Sequence, residues 1–148
     1  MTLDDWYKNG WLKRHKTSAE EIRGLMAIVG RDLQDGCVDD ISLDWRFGIA
    51  YNAALKLCTL VLYSEGYRAA RDLQHYRTIQ AMMIILGSDR KDDVAYLDAC
   101  RKKRNIVEYE QAGVTTEAQA DELVEFVRNF RTDVVAWLTE NHPELVDR

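Results

Sequence analysis

LDWRFGIAYNAALKLCTLVLYSEG, residues Leu43–Gly66, is the stretch on which the fold turns. Phe47, Ala50, Tyr51, Ala54, Cys58, Val61 and Leu62 recur at the three- and four-residue spacing of one helical face, with no sustained alternation of period two. The segment therefore predicts one long helix from about Leu43 to Glu65, closed by Gly66. Twenty residues of helix bury too much apolar surface to stand alone, so the neighbouring segments must cover it.

Working outward, each flank supplies a partner. Upstream, Ser18-Ala19-Glu20-Glu21 reads as a capping box, and Ile22, Leu25, Met26, Val29 and Leu33 follow at helical spacing until Gly36. Before it, Asp4–Lys13 carries Trp6, Tyr7, Trp11 and Leu12 as an apolar lid. Downstream, a fourth helix is expected over about Arg71–Leu86, with Leu73, Tyr76, Ile79, Met82, Met83 and Leu86 inward and Gly87 as its stop. A fifth spans about Arg90–Gln111. A sixth opens at the T-x-x-Q box Thr116–Gln119 and continues through Leu123, Phe126, Val127, Phe130, Val134 and Leu138. Pro143 is the only proline, so no long helix is interrupted. The reading is all-α: a single domain over residues 1–148, an antiparallel bundle of about four long helices plus shorter N-terminal ones, without a sheet.

Composition narrows the function classes. At 47% hydrophobic and 30% charged, the chain is too apolar for disorder. Apolar runs such as Ala81–Leu86 are too short to span a bilayer, and Met-Thr-Leu-Asp-Asp is not a signal sequence, so a cytoplasmic protein without membrane contact is expected. The net charge of −5 opposes a general coat for nucleic acid but leaves room for local basic patches. Lys13-Arg14-His15-Lys16 reads as a solvated face; Arg101-Lys102-Lys103-Arg104 is the second candidate. Cys37, Cys58 and Cys100 are far apart and form no C-x-x-C pair, which reads as three small buried hydrophobes. Asp39-Asp40 and Asp92-Asp93 look like acids at helix starts, and no glycine-rich phosphate loop occurs. No metal and no cofactor is expected.

The fifth helix breaks its own pattern. At about 100° per residue, Val94, Tyr96, Leu97, Cys100 and Val107 share one broad arc, and Arg104 falls near its middle. Arg101, Asn105 and Glu108 lie on one shoulder. A guanidinium there needs a carboxylate, a ligand or a wet cleft. Two readings stay open. One is an ion pair, Arg104 with Glu108 at i, i+4 or with another helix. The other is a polar pocket lined by Arg104 and Asn105 with Tyr109 at its edge, suited to a phosphate because the planar fork donates two parallel hydrogen bonds. Trp45 and Arg46, at the start of the third helix, flank the same cleft or pack.

Arg104-Asn105-Ile106-Val107-Glu108-Tyr109, late on a helix and before a Gly-containing turn and a last long helix, resembles the R-N-x-x-x-H signature of HEPN domains. Ala50-Tyr51-Asn52-Ala53-Ala54, Gly66-Tyr67-Arg68 and His75 resemble an earlier helix of that family and the loop after it. The likeness covers roughly Ser42 to Leu138. It implies a helical bundle of toxin–antitoxin or RNA-processing systems, acting on or near RNA as a homodimer. Active members are thought to cleave RNA without metal, the 2′-hydroxyl attacking its own phosphate between two protomers.

Carried over, the resemblance makes Arg104, Asn105 and Tyr109 the catalytic set and Arg101, Glu108 and His75 the substrate-binding one. Arg104 would stabilise transition-state charge and Asn105 would position a group nearby. Tyr109 stands where the family has histidine, and a phenol titrating near 10 is a poor base at neutral pH. His75 either supplies an imidazole or plays a structural or surface role; His15 and His142 look exposed. Three functions follow: a metal-independent endoribonuclease centred on Arg104; a non-catalytic module holding RNA, a nucleotide or a nucleotidyltransferase partner; or a plain interaction protein with a structural arginine.

Overall fold

The computed structural model describes residues 1–146. The elements run α1 (Leu3–Lys8), β1 (Leu12–Arg14), α2 (Ala19–Asp35), α3 (Leu43–Ser64), β2 (Tyr67–Ala69), α4 (Gln74–Leu86), α5 (Lys91–Tyr109) and α6 (Glu117–Asn141). Short 3-10 turns sit at Ser88–Arg90 and Pro143–Leu145. The chain is predominantly helical, as expected.

α3 is the axis of the molecule. It packs against α2, α4, α5 and α6, and its Leu57, Cys58, Leu60 and Val61 are wholly buried. Among the described residues it is the one helix that is, by length and composition, long and apolar enough to cross a membrane. Two thirds of its most apolar window is covered by the other helices, as in the central helix of a bundle.

The caps explain where the helices begin. Ser42 Oγ accepts from Trp45 N at 3.1 Å and starts α3; Thr116 and Gln119 cap α6 reciprocally at 3.1 and 3.0 Å. At α2 only half of the expected box forms. Ser18 Oγ accepts from Glu21 N, but the Glu21 carboxylate turns away to Thr17 and His15, 2.7 and 2.8 Å off.

Several expectations need correction. A small antiparallel sheet exists, pairing Leu12 with Ala69, Lys13 with Arg68 and Arg14 with Tyr67. Strands of three residues are too short to show an alternating pattern in sequence. Of the basic run, Lys13, Arg14 and Lys16 are exposed, whereas His15 stacks on Tyr63 with ring centroids 3.8 Å apart. His142 is likewise half-buried, against Glu65. Cys37 is exposed and accepts from Arg128; only Cys58 and Cys100 are buried. α4 starts at Gln74, not near Arg71, because Leu73 turns into the left-handed region at φ 55° and leaves its side chain exposed. Tyr76 also faces out.

Candidate functional site

α5 carries the six-residue motif on its last turns, between α3 and α4. Consecutive residues on a helix point about 100° apart, and α5 uses that divergence. Arg104 faces the start of α3, whereas Asn105 faces the start of α4. The expected single pocket is therefore two clefts, one on each flank of the helix.

The first cleft, about 320 Å3, is bounded by Arg104, Val107 and Glu108 of α5, by Ser42, Asp44, Trp45 and Gly48 around the start of α3, and by Ala112. Arg104 Nε lies 3.0 Å from Glu108 Oε2, so the i, i+4 ion pair is made, yet the arginine keeps 28% of its side-chain surface and lines open space. Trp45 is 63% exposed, an unusual position for an indole whose hydrophobic payload favours burial. The floor is held still. Asp44 accepts from Gly113 N at 2.6 Å and Thr115 N at 3.3 Å, and Lys103 Nζ donates to Val114 O at 3.2 Å. These bonds pin the α5–α6 turn, in which Gly113 takes φ 78°. Hydrogen bonds from Thr115 and Gly113 hold the Asp44 carboxyl below its ordinary range.

Arg46 does not flank this cleft. One residue past Trp45, it is buried and donates from Nε to Gly36 O at 2.8 Å and from Nη2 to Asp121 Oδ1 at 2.7 Å. It ties the end of α2 to α6.

The second cleft, about 290 Å3, lies between the N-terminus of α4 and α5 and is lined by Arg71, Leu73, Gln74, His75, Tyr76, Arg101 and Asn105. Arg101 donates from Nε to Asp98 Oδ1 at 2.8 Å, and its guanidinium carbon lies 5.4 Å from the Tyr76 ring centre. His75 and Asn105, which sequence placed in the same site for different reasons, meet here. Glu108 does not join them; it stays with Arg104. Tyr109 lines neither cleft. It ends α5 at 74% exposure, one helical turn beyond Asn105.

Tyr51 links the two sides from behind. Its ring centre lies 5.9 Å from the Arg104 guanidinium carbon and 6.4 Å from the His75 ring. Its buried hydroxyl has no hydrogen-bond partner among the described residues, and burial raises its pKa. Sequence singled out Trp45 but missed Arg71, which carries no pattern of its own.

His75 titrates below the ordinary histidine value of 6.5, first because it is half-buried and then because Arg104, Lys56 and Arg101 repel its cationic form. At neutral pH it is a neutral imidazole. Removing one of those charges must relax the shift, so Arg104→Gln should move the His75 midpoint upward, toward 6.5. A histidine-resolved NMR titration reads this directly, and an unmoved midpoint would show the two clefts to be electrically independent.

Among the described residues no group of histidine, cysteine and carboxylate side chains is arranged to hold a metal ion. Compared with protein-family models, with curated proteins and with solved structures, the chain matches none.

Proposed function

We propose that this chain is a HEPN-like module of a cytoplasmic, RNA-directed defence or regulatory system of the toxin–antitoxin type, and that it holds RNA as a homodimer. The observation that carries the reading is the first cleft: an exposed indole, Trp45, beside a half-buried guanidinium, Arg104, at the motif that resembles the family signature. A flat aromatic surface stacks on any base, and a guanidinium holds a phosphate; together they accept a nucleotide of a single strand.

Dimerisation is supported by the apolar surface around the motif. Trp45, Leu73, Tyr76, Ile106 and Tyr109 are all exposed and all belong to the two clefts or to the last turns of α5. Exposed apolar groups gathered at one end of a domain mark a contact surface. A two-fold contact there brings two copies of Arg104 together.

The exposed Tyr109 favours the non-catalytic form of the module over an endoribonuclease centred on Arg104, Asn105 and Tyr109. The Arg104–Glu108 pair favours a plain interaction protein, but a purely structural pair has no need of an open cleft beside it. A nucleotidyltransferase partner remains part of the proposal as the protein with which such modules are paired.

Binding of a short single-stranded RNA in EDTA tests the reading. Trp45→Ala and Arg104→Ala should each weaken binding about tenfold, the size expected for one lost stack or one charge-assisted bond. Sedimentation of the parent should show a dimer. RNA binding that ignores both substitutions, or none by the folded parent, would sink the proposal.

A further inference from the structure

The second cleft is a separate matter from the first. Arg71, His75 and Asn105 line it, and none of the three has a side-chain hydrogen bond or ion pair to protein among the described residues. Arg101 spends Nε on Asp98 and keeps its two terminal nitrogens free of other partners. Tyr76 walls one side, its ring under the Arg101 guanidinium. Donors gathered on one concave, solvent-open space are free to bind a ligand that carries several acceptors.

The character of the filler follows from the donors. Two guanidinium groups, an amide and an imidazole offer many N–H bonds and, among the side chains, few acceptors. That set matches a tetrahedral oxyanion. A carboxylate or a neutral sugar would leave donors unmet. The backbone adds to it. α4 is 13 residues long, its N-terminus has no side-chain cap, and Gln74, His75 and Tyr76 of its first turn line the same cleft. At about 290 Å3 the space is at the small end for a ligand site, which runs from about 300 Å3, and so suits a phosphoryl group rather than a whole nucleotide.

We infer that the cleft between the start of α4 and α5, formed by Arg71, His75, Arg101 and Asn105, is a phosphate-binding subsite, and that the phosphoryl group it takes belongs to the backbone of the RNA whose base meets Trp45. The phosphoryl chemistry stands on this cleft alone; its source in RNA rests on the function proposed above. Because residues 104 and 105 are consecutive, a strand that reaches both clefts crosses the last turns of α5.

The two sources of phosphate are separable by NMR on the full chain. Inorganic phosphate and a short single-stranded RNA, each in EDTA, are titrated against chloride at matched ionic strength. The readouts are the backbone amides of Gln74, His75 and Tyr76, the Asn105 side-chain amide, and the Trp45 indole N–H. Saturable shifts of the α4 and Asn105 signals by both probes are expected. Arg71→Ala should weaken both about tenfold; Arg71 is exposed and pairs with nothing, so the fold is not at stake. Arg101→Gln should act in the same direction and serves as the second variant.

The other outcomes separate this inference from the function it leans on. Phosphate that shifts these signals while RNA does not would keep the phosphoryl subsite and overturn RNA as its source. RNA that shifts the Trp45 indole but leaves α4 and Asn105 still would overturn the subsite and keep the RNA-binding function. No saturable shift by either probe, or shifts indifferent to Arg71→Ala, would overturn the inference outright.

Discussion

Arg46→Met should lower the unfolding free energy by about 3 kcal/mol, with a fall in Tm on the order of 10 °C for a domain of this size. Arg46 is 7% exposed and ties the end of α2 to α6. Its Nε bond to Gly36 O satisfies a carbonyl at the end of α2, where the helix has no further turn to supply a donor. Its Nη2 bond reaches Asp121 in the second turn of α6. Methionine fills similar volume, so the loss is mainly polar: a charge-assisted bond removed, and a buried carbonyl left unmet at about 1–3 kcal/mol. The Asp121 end contributes less, because that carboxylate is 58% exposed and solvent screens it. Asp121→Asn should therefore cost under about 1 kcal/mol. Urea unfolding of the two variants distinguishes the ends of the interaction. Equal losses for both would show the ion pair, not the Gly36 bond, to be the stabilising contact.

That pair of neighbours, Trp45 and Arg46, shows where sequence reading stops. Helix existence was legible wherever local chemistry and apolar spacing agree: Ser18 and Thr116 cap two of the long helices, and the stripe of α3 is buried almost as its spacing demands. Which way a polar residue faces was not legible, because the answer depends on the partner. Arg46 finds a carbonyl ten residues back and a carboxylate on the last helix; neither is visible in a window around position 46. The start of α4 was missed for a similar reason. Leu73 and Arg71 look helical in isolation, but β2 must first pair with β1, and the chain then turns sharply through Leu73 before α4 can begin. The pairing of Arg104 with Glu108 followed from i, i+4 spacing alone. The division of Arg104 and Asn105 between two clefts followed from nothing local, since it takes the positions of both α3 and α4 to define them.

On the function proposed above, Tyr109→His should raise RNA cleavage in EDTA by about a hundredfold or more over the parent. The position tolerates the change. Tyr109 is the last residue of α5, 74% exposed and without a side-chain hydrogen bond among the described residues, so little folding energy depends on the phenol. What changes is proton affinity. A phenol is a poor general base for a ribose hydroxyl at neutral pH, whereas an imidazole is well suited to that role.

The reaction then needs no outside reagent. The imidazole takes the 2′-hydroxyl proton, the 2′-oxygen forms a bond to phosphorus, and the bond to the 5′-oxygen breaks, leaving a 2′,3′-cyclic phosphate and a 5′-hydroxyl that gains a proton. Arg104, already facing open space, can neutralise the charge on phosphorus oxygens as that bond forms. Adding Arg104→Ala to the variant should abolish the gain, and dilution below the dimer dissociation range should reduce it. A parent that already cleaves as fast as Tyr109→His would show that another group, His75 being the nearest imidazole in the clefts, already acts as the base. A folded, dimeric Tyr109→His protein that binds RNA and leaves it intact would show that the two clefts hold a strand without placing its 2′-hydroxyl for attack, and the module would then be a binder by architecture and not merely by the loss of one side chain.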